Sequence, residues 1–249
     1  MLPTLENEIS EAFAALSKYD FGQSTESLYL VENCVRASYG QPKALDALTH
    51  ELTRMIDSNA SLAARQFACK TLWRLGPERT LLALSKLLAS SDVHLVEAAC
   101  YAIGNSPSSE ADRLLRDALE RSQRGARVTV INLIGSRGDS LSVSALQNLT
   151  SNSDNATAEA AMRALGKIGT PDAIAALERL QKQGNSLRQF MVSAALLEGA
   201  QTLAAHGESP KAVEAVAQVS SDMKQIRRGA DRLREDFDHH DHGFVPLFN

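Results

Sequence analysis

The feature that most restricts what this chain can fold into is a spacing of 31 residues. Stepping by 31 from Leu84 reaches Leu115, Leu146 and Leu177, the same residue four times. The same step from Leu72 gives Ile103, Ile134, Leu165 and Leu196, and from Ala68 it gives Ala99, Val130, Ala161 and Val192. Gly76, Pro107, Gly138 and Gly169 form a fourth column, each closing one apolar stretch and opening another, where a turn residue is wanted. Four columns in phase without a gap define an internal repeat.

The repeating unit reads as a helical hairpin. In residues 154–184, Ala161, Ala164, Leu165 and Ile168 fall at i, i+3, i+4 and i+7, one face of a helix. After Gly169-Thr170-Pro171, residues Ile174, Leu177 and Leu180 mark one face of a second helix, and Pro171 suits its first turn. Ser61, Asp92, Gln123, Asp154 and Asn185 share a column at the unit starts, and four of these five are good N-caps. Each helix is roughly 12 residues and about 18 Å long at ~1.5 Å per residue. Neither helix of such a pair can hide its apolar face alone, so neighbouring units must stack. The expected architecture is an all-α solenoid.

Residues 61–184 hold four units, at 61–91, 92–122, 123–153 and 154–184. Residues 1–60 read as an N-terminal helical cap, with helices at 5–19, 24–38 and 42–57. Residues 185–235 read as degenerate C-terminal helical repeats, with helices at 187–206 and 210–235. The segment 236–249 reads as a linker or tail.

Composition agrees with this pattern. Of 249 residues 44% are apolar but only 5% aromatic, so Ala and Leu carry the hydrophobic load. Both are strong helix formers, and Ala lets backbones approach closely. The formal charge of −4 argues against a nucleic-acid partner, because phosphate neutralisation calls for a basic face. No stretch approaches the roughly 18 apolar residues of a membrane span, so no membrane partner is expected. The N-terminus lacks the pattern of a secretory signal, making the cytoplasm the default compartment, with the periplasm or secretion open if a signal has been removed.

Residues 164–177, Ala-Leu-Gly-Lys-Ile-Gly-Thr-Pro-Asp-Ala-Ile-Ala-Ala-Leu, resemble the signature of the bacterial PBS-lyase HEAT-like repeat. The resemblance covers about half the chain and implies an α-solenoid of HEAT-like helical hairpins whose second helices line a concave face. The second unit departs from it with Asn105-Ser106-Pro107 at its turn. A single stretch from Glu198 to Ala217 has a TPR-like look. The last seven residues, Gly243-Phe244-Val245-Pro246-Leu247-Phe248-Asn249, resemble the opening strand of the 3-keto-disaccharide hydrolase family. That second resemblance implies an alternative role, an accessory helical domain of a larger sugar-active enzyme.

Candidate chemistry is sparse. Cys69 and Cys100 stand 31 apart, in a column that continues as Ile131 and Met162, which makes them small core residues rather than a disulfide. The His-rich stretch 238–242 has metal-ligand residue types but reads as a solvated linker. One HEAT-like enzyme class, deoxyhypusine hydroxylase, holds two irons with repeated His-Glu pairs, and only His50-Glu51 is present here. Gly135-Ser136-Arg137-Gly138 and Gly166-Lys167-Ile168-Gly169 lack the spacing of a phosphate loop and read as hairpin turns. No enzyme activity and no cofactor are expected.

What remains is a protein-binding surface, presented by a monomer. The outward columns of the second helices read Arg79, Glu110, Leu141, Asp172, then Leu82, Arg113, Ser144, Ala175, then Lys86, Asp117, Asn148, Arg179. Signs are mixed in every column. The run Arg113, Arg116, Arg121, Arg124 and Arg127 is the most basic, but Glu110, Asp112, Asp117 and Glu120 interleave with it and predict pairing within the helix. Trp73 stands where the other units carry Gly104, Gly135 and Gly166. It is expected to pack against the N-terminal cap, the alternative being an exposed binding anchor. The candidate protein-binding residues are Trp73, Arg79, Arg113, Arg116, Glu178 and Arg179.

Overall fold

The computed structural model describes residues 4–88, 90, 92–122, 124–183, 186–219 and 224–240, apart from the side chains at 77–79, 124, 186, 187, 225 and 238–240. Its described residues form α-helices and one 3₁₀ turn, with no strand. The helices are α1 (Leu5–Leu16), α2 (Glu26–Ser38), α3 (Pro42–Ile56), α4 (Leu62–Arg74), α5 (Pro77–Leu87), α6 (Val93–Gly104) and α7 (Ser109–Arg121). They continue with α8 (Arg124–Ser136), α9 (Val143–Leu149), α10 (Asn155–Ile168), α11 (Pro171–Lys182), α12 (Ser186–Ala205), α13 (Ser209–Gln218) and α14 (Lys224–His240). The chain is an all-α solenoid of helical hairpins. It divides into two compact units, Met1–Ala126 and Arg127–Asn249.

The four columns of the period form the core. Leu84 and Leu115 in the first unit, and Leu146 and Leu177 in the second, are each 0% exposed. So are Leu72, Ile103, Ile134, Leu165 and Leu196, while Ala68, Ala99, Val130, Ala161 and Val192 are all buried. Burying one such Leu or Ile is worth about 1.5–3 kcal/mol, so each repeat depends on neighbours for most of its stability.

The unit starts are capped as the column implies. Ser61 accepts from the Ala64 amide at 3.1 Å and donates its own hydroxyl to the Tyr19 carbonyl, tying α4 to the loop after α1. Asp92 accepts from the His94 amide at 3.0 Å, and Asp154 from the Thr157 amide at 3.2 Å and its hydroxyl at 2.6 Å. Gln123 and Asn185 lie outside the described residues. At the hairpin turns, Gly169 takes the left-handed conformation, with φ of 56°. Proline cannot adopt that conformation, and in the repeat at 92–122 α6 instead ends on Asn105, right-handed, with its side-chain amide donating to the Tyr101 carbonyl at 2.7 Å.

Two C-terminal expectations change. The helix expected over 210–235 is two helices, because Val219 turns extended after α13. Helix α14 also runs to His240, into the segment expected as a tail. Its buried stripe of Ile226, Ala230 and Leu233 continues to the half-buried Phe237, and Arg234 donates to the Val216 carbonyl at 3.1 Å. That stripe at helical spacing carries the helix past 235.

First helices approach closely in the second unit. A Cβ built on Gly135 would lie 2.7 Å from Ala164 Cα, and one on Gly166 would lie 2.6 Å from the Ala195 carbonyl oxygen. Arg188 on α12 reaches back to the turn between α9 and α10. It donates to the carbonyls of Thr150 at 2.6 Å and Asn152 at 3.3 Å, and to Asn155 Oδ1 at 3.2 Å.

The Gly166→Ala substitution puts a methyl against backbone that cannot give way, and a loss of about 1–3 kcal/mol in urea unfolding is expected. Gly125 sits in α8 with nothing near a built Cβ, and Gly125→Ala is expected to raise stability by roughly 0.5–1 kcal/mol. Equal effects at the two sites would show that the close approach is not there.

All three cysteines are buried and free. Burial pushes the Cys69 and Cys100 thiols up to about 12 and also raises Cys34. Because the folded values are raised, this stabilising contribution is complete below the ordinary thiol value of 9.0 and is lost as pH climbs from there toward 12. At pH 8 a thiol reagent is expected to titrate none of the three rapidly until urea unfolds the chain. Fast native reaction of Cys69 or Cys100 would contradict their core placement.

Candidate functional site

The outward columns of the second helices do point away from the core. Glu110, Leu141 and Asp172 are exposed, Leu141 to 75%. Leu82 (67%), Arg113 and Ser144 are exposed and Ala175 half-buried, while Lys86, Asn148 and Arg179 are exposed and Asp117 half-buried. The Arg79 side chain lies outside the described residues. Trp73, Arg113 and Arg116 belong to the first unit, and Glu178 and Arg179 to the second. Within the first unit α7 brings Arg113 and Arg116 together, whereas Trp73 stands apart at the end of α4.

Arg113 is held by its own helix. Its guanidinium takes Glu110 through Nε at 2.9 Å and through Nη2, and donates from Nη1 to Asp117 Oδ2 at 3.0 Å. The Arg113 hydrogen bond holds the Glu110 carboxyl below the usual carboxylate range, and Glu110 raises Arg113 in return. Both groups are exposed, so this i, i+3 pair fixes a side-chain direction more than it stabilises the fold. Arg121 Nε donates to the Asp117 carbonyl at 3.1 Å, so a second arginine of the basic run bonds within α7. On α11, Arg179 Nε donates to the Ala175 carbonyl at 3.0 Å, and Glu178 beside it is half-buried.

Trp73 is half-buried, and its ring meets Tyr101 on the next first helix, edge to face at 5.6 Å between centroids and 73° between planes. The neighbouring Arg74 reaches the cap through its ion pair with Glu32 on α2. Tyr101 is 60% exposed and was absent from the expected site. The signal for it was present: Tyr101 stands one helical turn before Gly104, the position one period beyond Trp73.

A groove of about 250 Å³ lies between α1 and α3, over Phe13 and Met55, with Glu51 and Arg54 paired at its rim. A cavity of about 80 Å³ in the second unit is lined by Thr150, Met162, Leu180, Arg188 and Val192. Ligand pockets run from roughly 300 Å³ upward. Among the described residues no group of three His, Cys, Asp or Glu side chains is placed to hold a metal. His50 is exposed on α3, and Glu51 bonds Arg54 through Nε at 3.0 Å. The side chains of the His-rich stretch 238–242, and residues 243–249 with their hydrolase resemblance, lie outside the described residues. No described helix is long and apolar enough to cross a membrane.

The comparisons with known proteins concern the repeat. No curated protein sequence matches the chain. Among solved structures, human deoxyhypusine hydroxylase in complex with glycerol is similar with a TM-score of 0.44 at 16% identity, over 80% of this chain and 81% of that one. A designed armadillo repeat protein is similar with a TM-score of 0.40 at 18% identity, over 76% of this chain and 99% of that one. Residues 118–197, spanning the end of α7 to the middle of α12, match the family model for HEAT repeats.

Proposed function

We propose that the chain is a non-enzymatic scaffold that binds a protein partner through the outward faces that the second helices present within each unit. The observation that carries this reading is the split between columns. Positions 84, 115, 146 and 177 are sealed into the core, while Leu82, Arg113 and Arg179 on those helices, and Leu141 in the 3₁₀ turn that leads into α9, stand in solvent. The outward face mixes exposed leucines with charges of both signs, which suits a polypeptide surface better than a polyanion. No cofactor, nucleic acid or membrane enters this reading. The match at 118–197 supports HEAT-like repeats, and the finer assignment to the PBS-lyase HEAT-like kind rests on residues 164–177.

The test is affinity capture of the purified chain from lysate of its own source, with mass spectrometry, followed by direct titration of what is retained. A stoichiometric partner should lose at least about tenfold in affinity to the double reversal Arg113→Glu with Arg116→Glu, or to Arg179→Glu, since a buried interfacial charge pair is worth ~2 kcal/mol or more. Undiminished binding by both variants would move the interface off this face.

A further inference from the structure

The column through residue 73 controls how closely successive first helices can lie. Gly135 and Gly166 each face a residue 29 positions downstream, Ala164 and Ala195, at distances that leave no room even for a Cβ. The same offset from Trp73 falls on Ala102, which is 1% exposed. An indole at an equivalent position cannot fit a gap that excludes a methyl group. The ring instead turns onto Tyr101, beside Ala102, and stacks edge-on with it at 5.6 Å. Tyr101 is itself 60% exposed.

We infer that Trp73 is a conformational wedge: it holds the C-terminal ends of α4 and α6 apart and sets the pitch between two repeats of the first unit. In the second unit the glycine column lets the corresponding helices close. Neighbouring helix axes lie roughly 8–10 Å apart, and the residues at the contact choose where in that range a pair sits. An indole places α4 and α6 toward the wide end, and glycine places α8, α10 and α12 toward the narrow end. The orientation of the first unit's second helices, and so of Leu82 and Arg113, follows from that spacing. This inference does not depend on what the chain binds.

The experiment uses spin labels at Lys70→Cys on α4 and Asn105→Cys at the end of α6, both exposed positions, in the full chain. The buried native thiols stay unlabelled in the folded protein. Restoring the column glycine with Trp73→Gly is expected to increase dipolar broadening, reporting a contraction of about 1–2 Å within the packing range above. Trp73→Phe, which keeps a ring, should leave the broadening near that of the parent. Unchanged or reduced broadening in Trp73→Gly would overturn the wedge. So would loss of the folded state in that variant, because a column glycine is expected to let the helices close instead of leaving a void.

Discussion

Everything in this structure depends on the burial of one hairpin's apolar face against the next. The shorter helices could not hold their shape alone: α9 is 7 residues long and α13 is 10, below the length at which isolated helices persist in water. What stabilises them is the set of columns at 68, 72 and 84 and their images one period on, sealed from solvent by neighbours. Caps such as Asp92 and Asp154 then fix where each helix begins, which keeps successive columns in phase. The surface follows from the phase, because a residue's place in the repeat decides whether it meets another helix or water.

This is why the fold was legible in the sequence. A period of 31 carried by leucine, isoleucine and alanine leaves little freedom, and the residues it places inside are inside. The turn column was legible at Gly169, whose left-handed backbone needs glycine, and the departure of the repeat at 92–122 at Pro107 was visible as well. The intrahelical pairing of Arg113 with Glu110 and Asp117 followed from i, i+3 and i+4 spacing.

The sequence was less informative where the period ends or is broken. Helix α14 extends past the expected boundary because Phe237 continues an apolar stripe that has no counterpart in the repeat columns. Trp73 breaks its column, so the column could not say which way the ring would turn, and contact with Tyr101 depends on a three-dimensional offset of one helical turn. The candidate binding residues are the least legible part. Mixed charge on an exposed face records which side chains a partner could meet, but partner identity leaves no periodic trace in a single chain.

Arg188 alters how such an array should come apart. In a simple stack each repeat couples only to its neighbours, and the end repeat frays first with little effect further in. From α12, Arg188 bonds the Thr150 carbonyl at the end of α9 and Asn155 at the start of α10, so it reaches past the adjoining hairpin to the one before. A coupling of that range adds a next-nearest-neighbour term to an otherwise one-dimensional chain of interactions. Hairpins α9 to α12 should then open as one cooperative block, with the boundary of fraying displaced outward toward α13 and α14.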